Sequence, residues 1–367
     1  MATRTRAAAL SVVRVRVPFR RPFVTATGTW DHRESWILRL RDDDRTAYGE
    51  AALHPGAARA EVDALAAEIR ALAADIGHGV GAEARMHGAT APVRAAVDAM
   101  LIGVSSSGVG RRLAQGGTRV PVTATLGWGD ASEMVDAART ATASGYGTLK
   151  LKIGSDVPIA DISDRVGAVR AAVGPDIRLR IDANGAWSLP MAEQTLKALE
   201  PVGLEYVEQP VSVDTDLRDV ARLRGATSVP VALDEAIADV AMARRVMEDA
   251  AADVLVVKPS RVGGIRAALE IAELAASAGT DVVLSTMLET GIGLAAGLAA
   301  AAALAPPRGA PPALAHGLGT SSLLASDLLA VPLVPAAGHL VSRDIGALEL
   351  DDRAIEAYAV EYGGVPW

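Results

Sequence analysis

Polar residues at the ends of apolar runs recur along the middle of this chain at a nearly constant interval. TLKLKIG carries Lys152, RLRIDAN ends its apolar run at Asp182, EYVEQP at Glu208, VPVALDE at Asp234 and DVLVVKPS at Lys258, so successive members lie 30, 26, 26 and 24 residues apart. Ala-rich amphipathic stretches separate them: DISDRVGAVRAAVG, SLPMAEQTLKALEPVG, TDLRDVARLRGATS and DVAMARRVMEDAA. Short apolar runs alternating with helical patterns predict βα units and a parallel sheet. The regular interval favours a closed barrel over a doubly wound sheet, because each strand then delivers a polar residue from its C-terminal end to a common mouth. No G-x-G-x-x-G phosphate loop follows a strand, as a dinucleotide-binding sheet would require.

The rhythm has edges. Before about residue 118 the pattern differs: ALSVVRVRVPF and WILRLRDDD alternate like antiparallel strands, YGEAAL continues them, and Ala58 to Ile102 reads as helices. QGGTR (Gln115 to Arg119) is a plausible boundary, after which VPVTATLG begins the barrel, and past about residue 325 the rhythm stops and HLVSRDIGALELDD looks like short strands. The expected architecture is a modified (β/α)7β barrel of the TIM type over 119–325. An α+β capping domain over 1–118 covers it, and the tail 326–367 returns to the cap. The tip RRPFVTATGTW (Arg20 to Trp30), rich in Thr and Gly, reads either as a mobile lid or as a simple hairpin turn.

Length and composition permit this. A barrel of about 250 residues plus one module uses all 367 residues. Half the residues are hydrophobic but only 3% are aromatic, so the core must be Ala, Val, Leu and Ile. A net charge of −8 without a dense basic patch speaks against nucleic acid. With no cysteine there are no disulfides, no thiolate catalysis and no Cys-type zinc site, as fits a cytoplasmic protein. GIGLAAGLAAAAAL (Gly291 to Leu304) is too short for a bilayer and reads as a buried barrel helix; the N-terminus lacks the apolar core of a signal peptide. No membrane partner is expected; a homo-oligomer is.

Three acids from successive strand ends, Asp182, Glu208 and Asp234, crowd like charges unless a cation neutralises them. Oxygen ligands without His or Cys suit Mg2+, or Mn2+, rather than zinc. Taken singly each acid reads as an ordinary loop or salt-bridge residue; in phase they read as a site. Asn184 and Glu235, beside two of them, are candidates for support of that site. Strand alternation puts Lys150 and Lys152 on one side of TLKLKIG, where mutual repulsion and a nearby metal lower the pKa of at least one and make a neutral base available. Lys258, on the sixth strand, faces Lys152 on the second across the mouth. A metal that binds a carboxylate, with lysines on opposite faces of it, describes removal of a proton α to a carboxylate, with the enediolate stabilised by the cation.

TLKLKIG, RIDANGAW, EYVEQP, VALDE and VVKPSRVGG, together with YGEAALHPG in the first module, resemble the enolase superfamily and its muconate lactonizing enzyme subgroup. Sites of that superfamily pair a Lys or His base with Mg2+. The resemblance covers essentially the whole chain. It implies Lys152 as the α-proton base, Lys150 as its pKa-lowering neighbour, Asp182, Glu208 and Asp234 as Mg2+ ligands, and Lys258 as the acid, base or cation on the opposite face.

The substrate is a separate question, since the fold does not fix it. LSTMLETGIGL, AHGLGTSSLLASDLL and RRPFVTATGTWDHRESWILRL look similar to o-succinylbenzoate synthases of menaquinone biosynthesis, which dehydrate a succinyl-hydroxycyclohexadiene carboxylate, a small anionic carboxylate. Within these stretches Ser285, Met287, Glu289 and Thr25 are candidate substrate contacts, with Trp30, His32 and Arg33 added from their position at the tip. Dipeptide epimerases of the subgroup carry an acidic motif after the last barrel strand, where HGLGT (His316 to Thr320) has no carboxylate, which argues against a substrate with a free α-amine. N-succinylamino acid racemase is the next reading and muconate cycloisomerase the third. A catalytically retired binding barrel is disfavoured by the completeness of the site, and nothing in the acid triad suggests a Schiff-base aldolase.

Overall fold

The computed structural model of the protein describes residues 9–25, 28–42, 45–106, 108–153, 157–305 and 314–367. Its strands are β1 (Ala9–Thr25), β2 (Gly28–Asp42), β3 (Arg45–Ala51), β4 (Arg119–Pro121), β5 (Ala124–Leu126), β6 (Thr148–Lys152), β7 (Arg178–Asp182), β8 (Tyr206–Glu208), β9 (Val231–Leu233), β10 (Val254–Val257), β11 (Asp281–Leu284), β12 (His339–Val341) and β13 (Ala359–Gly364). β5 to β11 pair in parallel and in chain order. Each predicted amphipathic stretch is a helix, over Ile159–Val173, Leu189–Leu199, Leu217–Gly225 and Val240–Glu248.

An eighth stave closes the curl. His316 bridges Val122 and Gly317 bridges Ser285, both in parallel sense. The Gly317 N–H donates to the Leu284 carbonyl and the His316 N–H to the Pro121 carbonyl, each at 2.8 Å. The barrel is therefore (β/α)7β, with β6 and β10 in the second and sixth of eight positions, facing each other across it.

Alternation sorts the side chains of each strand. Leu149, Leu151, Leu179, Ile181, Leu233 and Leu255 point outward into the main core, against helix residues such as Ile162, Val166, Val169 and Leu196. Burying each such side chain contributes roughly 1.5–3 kcal/mol. Inside the barrel Tyr206, Ala232, Val254, Val256 and Val283 form a smaller cluster. Arg180 is buried with them, its guanidinium 4.6 Å from the centre of the Tyr206 ring. The polar members of β6 and β7 thus fill the barrel from within.

The cap is an antiparallel sheet in the order β13-β1-β2-β3. Its two faces are both apolar: Val13, Val15, Val17 and Ile37 join the barrel-side core, whereas Leu10, Val12, Trp36 and Leu38 pack under the helices Arg59–Gly77 and Ala91–Val104. β3 lies so close to the second helix that a Cβ on Gly49 would stand 2.1 Å from the Ala96 carbonyl oxygen. Past the barrel, β12 pairs with β4, and a helix (Asp352–Tyr358) leads into β13, which pairs with β1.

One detail differs from the sequence reading, and the tip takes the hairpin form that reading offered. β4 pairs with β12 and not with the seven-stranded sheet, so VPVTATLG joins the barrel from Val122, which bridges His316, and pairs with β6 from Ala124. The Arg20 to Trp30 tip is strand on both sides: β1 runs to Thr25 and β2 starts at Gly28, with a shift of register between Pro18 and Phe23. Phe23, Val24, Thr25, Thr29 and Trp30 are all residue types that favour strand, so the tip extends the two strands it joins. The apolar stretch from Gly291 is a buried helix, Gly291–Ala303. Among the described residues no helix is long and apolar enough to cross a membrane.

Candidate active site

The C-terminal ends of the parallel strands bring the predicted charges together. In the pairing of β6 with β7, Lys152 stands opposite Asp182, and in that of β7 with β8, Asp182 stands opposite Glu208. Lys150, two residues earlier on the same face, reaches both acids: its Nζ lies 3.0 Å from Asp182 Oδ2 and donates to Glu208 Oε1 at 2.9 Å. Lys152 donates to Asp182 Oδ2 and to Asn184 Oδ1, each at 2.9 Å. Asn184, in the left-handed region at φ 46°, turns its amide to donate to Glu235 Oε1 at 3.1 Å.

Asp234 follows β9. Lys258 donates to its Oδ2 at 2.5 Å, and Arg261 donates to its Oδ1 and its backbone carbonyl at 2.9 Å. Gln209, at φ 40°, fixes the turn that carries it, accepting the Asp234 N–H at 3.0 Å and the Ala236 N–H at 3.2 Å. Asp182, Glu208 and Asp234 are each 2% exposed. As placed, no three His, Asp or Glu side chains among the described residues stand together closely enough to hold a metal ion. Each of the three acids is instead held by an ammonium or guanidinium.

Charge and burial compete here. Burial raises the carboxyl of Asp182, but Lys150 and Lys152 outweigh it and hold the group well below the usual range. For Asp234 burial is likewise outweighed, by Lys258 and Arg261. Glu208 goes the other way, pushed above the ordinary carboxylate range by burial and by Asp182 and Asp234, despite Lys150. Burial and Asp234 raise Glu235. Burial also pulls the Lys150 ammonium down, yet Asp182 and Glu208 carry it well above the ordinary lysine value. The sequence reading expected at least one of the two lysines to be lowered; Lys150 goes up, because that expectation weighed the neighbouring ammonium and a metal and omitted two carboxylates in contact.

A cavity of about 550 Å3 opens over these groups. Lys150, Lys152, Asp182, Asn184, Asp234, Glu235, Lys258 and Arg261 line one part of it, and Thr123, Thr125, Ser285, Thr286, Thr320 and Ser322 line another. The cap supplies Phe23, Trp30, His54, Pro55 and Gly56. Phe23 and Trp30 stack at 6.3 Å between centroids, and the His54 ring meets Trp30 edge-on at 5.1 Å. Lys152 and Lys258 border the same cavity from opposite staves.

The remaining candidates divide. Ser285, Met287 and Trp30 line the cavity. Glu289 does not: it is 4% exposed, accepts the Met287 N–H at 2.6 Å and takes the hydroxyl hydrogen bond of Ser260. Arg33 is buried in the cap with its Nη1 on the Leu53 carbonyl, and His32 pairs with Asp31 at the surface. The side chain of Thr25 lies outside the described residues. Gln209 and Arg261 escaped the sequence reading although both stand inside motifs it singled out, EYVEQP and VVKPSRVGG. Their partner Asp234 comes from another strand.

Residues 133–347 match the family model described as enolase C-terminal domain-like. The o-succinylbenzoate synthase of Thermobifida fusca (strain YX) is 42% identical over 234 residues, which is 63% of this chain and 68% of that protein. The L-Ala-D/L-Glu epimerase of Bacillus subtilis (strain 168) is 31% identical over 299 residues, 77% of this chain and 81% of that protein. Among solved structures, muconate lactonizing enzyme from Pseudomonas fluorescens, complexed with muconolactone, superposes with a TM-score of 0.82 at 24% identity, over 97% of this chain and 100% of that one. The chain belongs to the enolase superfamily.

Proposed function

We propose that the protein is an o-succinylbenzoate synthase: it removes the proton α to the carboxylate of a succinyl-hydroxycyclohexadiene carboxylate and expels water to give the aromatic product. The observation that carries this reading is the distribution of charge in the cavity. Its acids, among the described residues, are Asp182, Asp234 and Glu235, all at the lysine-bearing strand ends. The HGLGT side offers only hydroxyls and glycine backbone, with His316 turned away to accept the Leu284 N–H at 3.0 Å. No carboxylate there meets a substrate ammonium, and the aromatic wall of Phe23 and Trp30 suits a flat ring.

The chemistry of the donor set, though not its spacing as placed, suits a hard divalent cation. Asp182, Glu208 and Asp234 are buried oxygen ligands on adjacent strand ends, and the upward push on Glu208 comes in part from the other two acids, which is charge that a cation relieves. In this reading the three hold Mg2+, with Mn2+ as a substitute, and the ion takes over the positive charge that Lys150, Lys152 and Lys258 now supply. Bound there, it supplies positive charge to the substrate carboxylate as negative charge builds up on deprotonation.

The chain's own groups do the rest. Lys152 takes the α-proton from one face, and Asn184, hydrogen-bonded to it and to Glu235, orients its amine. The electron pair released from the C–H bond is held first as the enediolate and then forms the ring double bond as the C–O bond breaks, and the departing hydroxide takes back the proton that Lys152 removed and leaves as water. Lys258, from the opposite stave, places its charge against the enediolate. Phe23, Trp30 and His54 keep bulk water from the cavity. N-succinylamino acid racemisation is the second reading, since it needs the same two facing lysines. Supplying purified enzyme with both substrates decides: faster dehydration supports the proposal, and efficient racemisation without detectable dehydration overturns it.

A further inference from the structure

A carboxylate of the cap is bonded to the loop that walls the cavity. Glu50 on β3 is 4% exposed and reaches out of its own domain. It accepts the Thr290 N–H at 3.1 Å, the Thr290 hydroxyl at 2.7 Å and the Gly293 N–H at 3.0 Å. Gly293 leaves room for this: a Cβ there would stand 2.5 Å from the Glu289 Cβ and 3.1 Å from Glu50 Oε2. The three donors belong to the first turn of the helix Gly291–Ala303, whose N-cap is Thr290.

The segment just before that helix is the wall itself. Ser285, Thr286, Met287 and Leu288 line the cavity. Leu288 has φ 64°, the left-handed region that a leucine adopts only where its surroundings impose it. The backbone is held on both sides of it, at Met287 by Glu289 and at Thr290 by Glu50, while the Leu288 N–H donates to the Thr286 hydroxyl at 3.3 Å. Glu289 is in turn fixed by Ser260, two residues past Lys258. Buried Arg33, also from the cap, supplies the countercharge to both glutamates.

We propose that Glu50 is a positioning residue: by clamping Thr290 and Gly293 it imposes the strained conformation of Leu288 and so sets the cavity wall opposite the substrate, tying substrate affinity to the docking of the cap. The inference rests on the proposed reaction only for its kinetic readout, since the clamp itself is a property of the backbone. Glu50→Gln keeps the shape but turns an amide N–H2 toward donors, and Thr290→Val removes one donor and leaves the Glu50 charge in place.

For Glu50→Gln, KM for the cyclohexadiene substrate is expected to rise about tenfold with kcat within about threefold of wild type, because the lysines on β6 and β10 are untouched. Thr290→Val shifts KM in the same direction by less, and the double variant falls short of the product of the two effects, because both act through one contact. Amide exchange across 285–293 should quicken in both variants while β6 to β8 stay protected. Unchanged KM, or exchange that quickens evenly over the whole cap, overturns the proposal and leaves Glu50 a simple docking contact. If Glu50→Gln does not fold, Thr290→Val carries both readouts. If wild-type enzyme does not dehydrate the substrate, the functional reading falls and the exchange measurement still decides the clamp.

Discussion

His316 in the eighth stave should make the closure of the barrel sensitive to acid. It is 4% exposed, accepts the Leu284 N–H on Nδ1, and is pushed down to about 4 by burial and then by the Arg180 guanidinium. The unfolded chain binds a proton at an ordinary histidine value of about 6.5, so between pH 6.5 and 4 the unfolded state carries more protons than the folded one. Stability is therefore fully present above the unfolded value and is lost as pH falls through this window. The loss from this group alone is about 2 kcal/mol at pH 5 and about 3 kcal/mol at pH 4. His316→Asn retains an acceptor for the Leu284 N–H and cannot be protonated. Urea denaturation of both proteins at pH 7 and pH 5 isolates the effect, because the acids titrate alike in the two and cancel. The variant should lose about 2 kcal/mol less than wild type over that interval. Equal losses, or a His316 resonance titrating near 6.5 in the folded enzyme, would refute the reasoning.

Metal removal should abolish turnover, with Mg2+ or Mn2+ restoring it, and Asp234→Asn should weaken metal binding without unfolding the barrel; full activity in chelated enzyme excludes the three acids as a metal site. Phe23→Ala and Trp30→Ala should raise KM and lower kcat together, since the two rings cover the cavity from the cap hairpin. Kinetics unchanged in both variants would make the hairpin a bystander.

The parts of the fold that repeat locally were legible. A strand of period two followed by an amphipathic helix is written in contiguous residues, so β6 to β10 and the phase of Lys150, Lys152, Asp182 and Glu208 follow from pattern alone. The eighth stave was not, because two bridged residues, His316 and Gly317, carry no period. β13 was missed for a different reason: AVEYGG becomes a strand by pairing with β1, more than three hundred residues away. At the site, residues that point along their own strand were found, while those that serve another element were misread, as Glu289 was, or passed over, as Glu50 was. Glu289 stands in a loop beside the cavity but answers to Ser260 and Met287, and Glu50 stands in a cap strand but answers to a barrel helix. Such contacts join residues distant in sequence, and neither partner's neighbours announce them.

The central claim is that Lys152 removes the α-proton and Lys258 assists from the other face. The most direct measurement follows dehydration of the cyclohexadiene substrate and racemisation of an N-succinylamino acid side by side in wild type, Lys152→Ala and Lys258→Ala. Wild type should dehydrate faster than it racemises, and Lys152→Ala should be inactive on both substrates. Lys258→Ala should lose racemisation in both directions but retain a trace of dehydration, a decrease of about 10²–10³ for a lost electrostatic contact worth roughly 3–4 kcal/mol. Dehydration surviving at wild-type rate in Lys152→Ala would contradict the account.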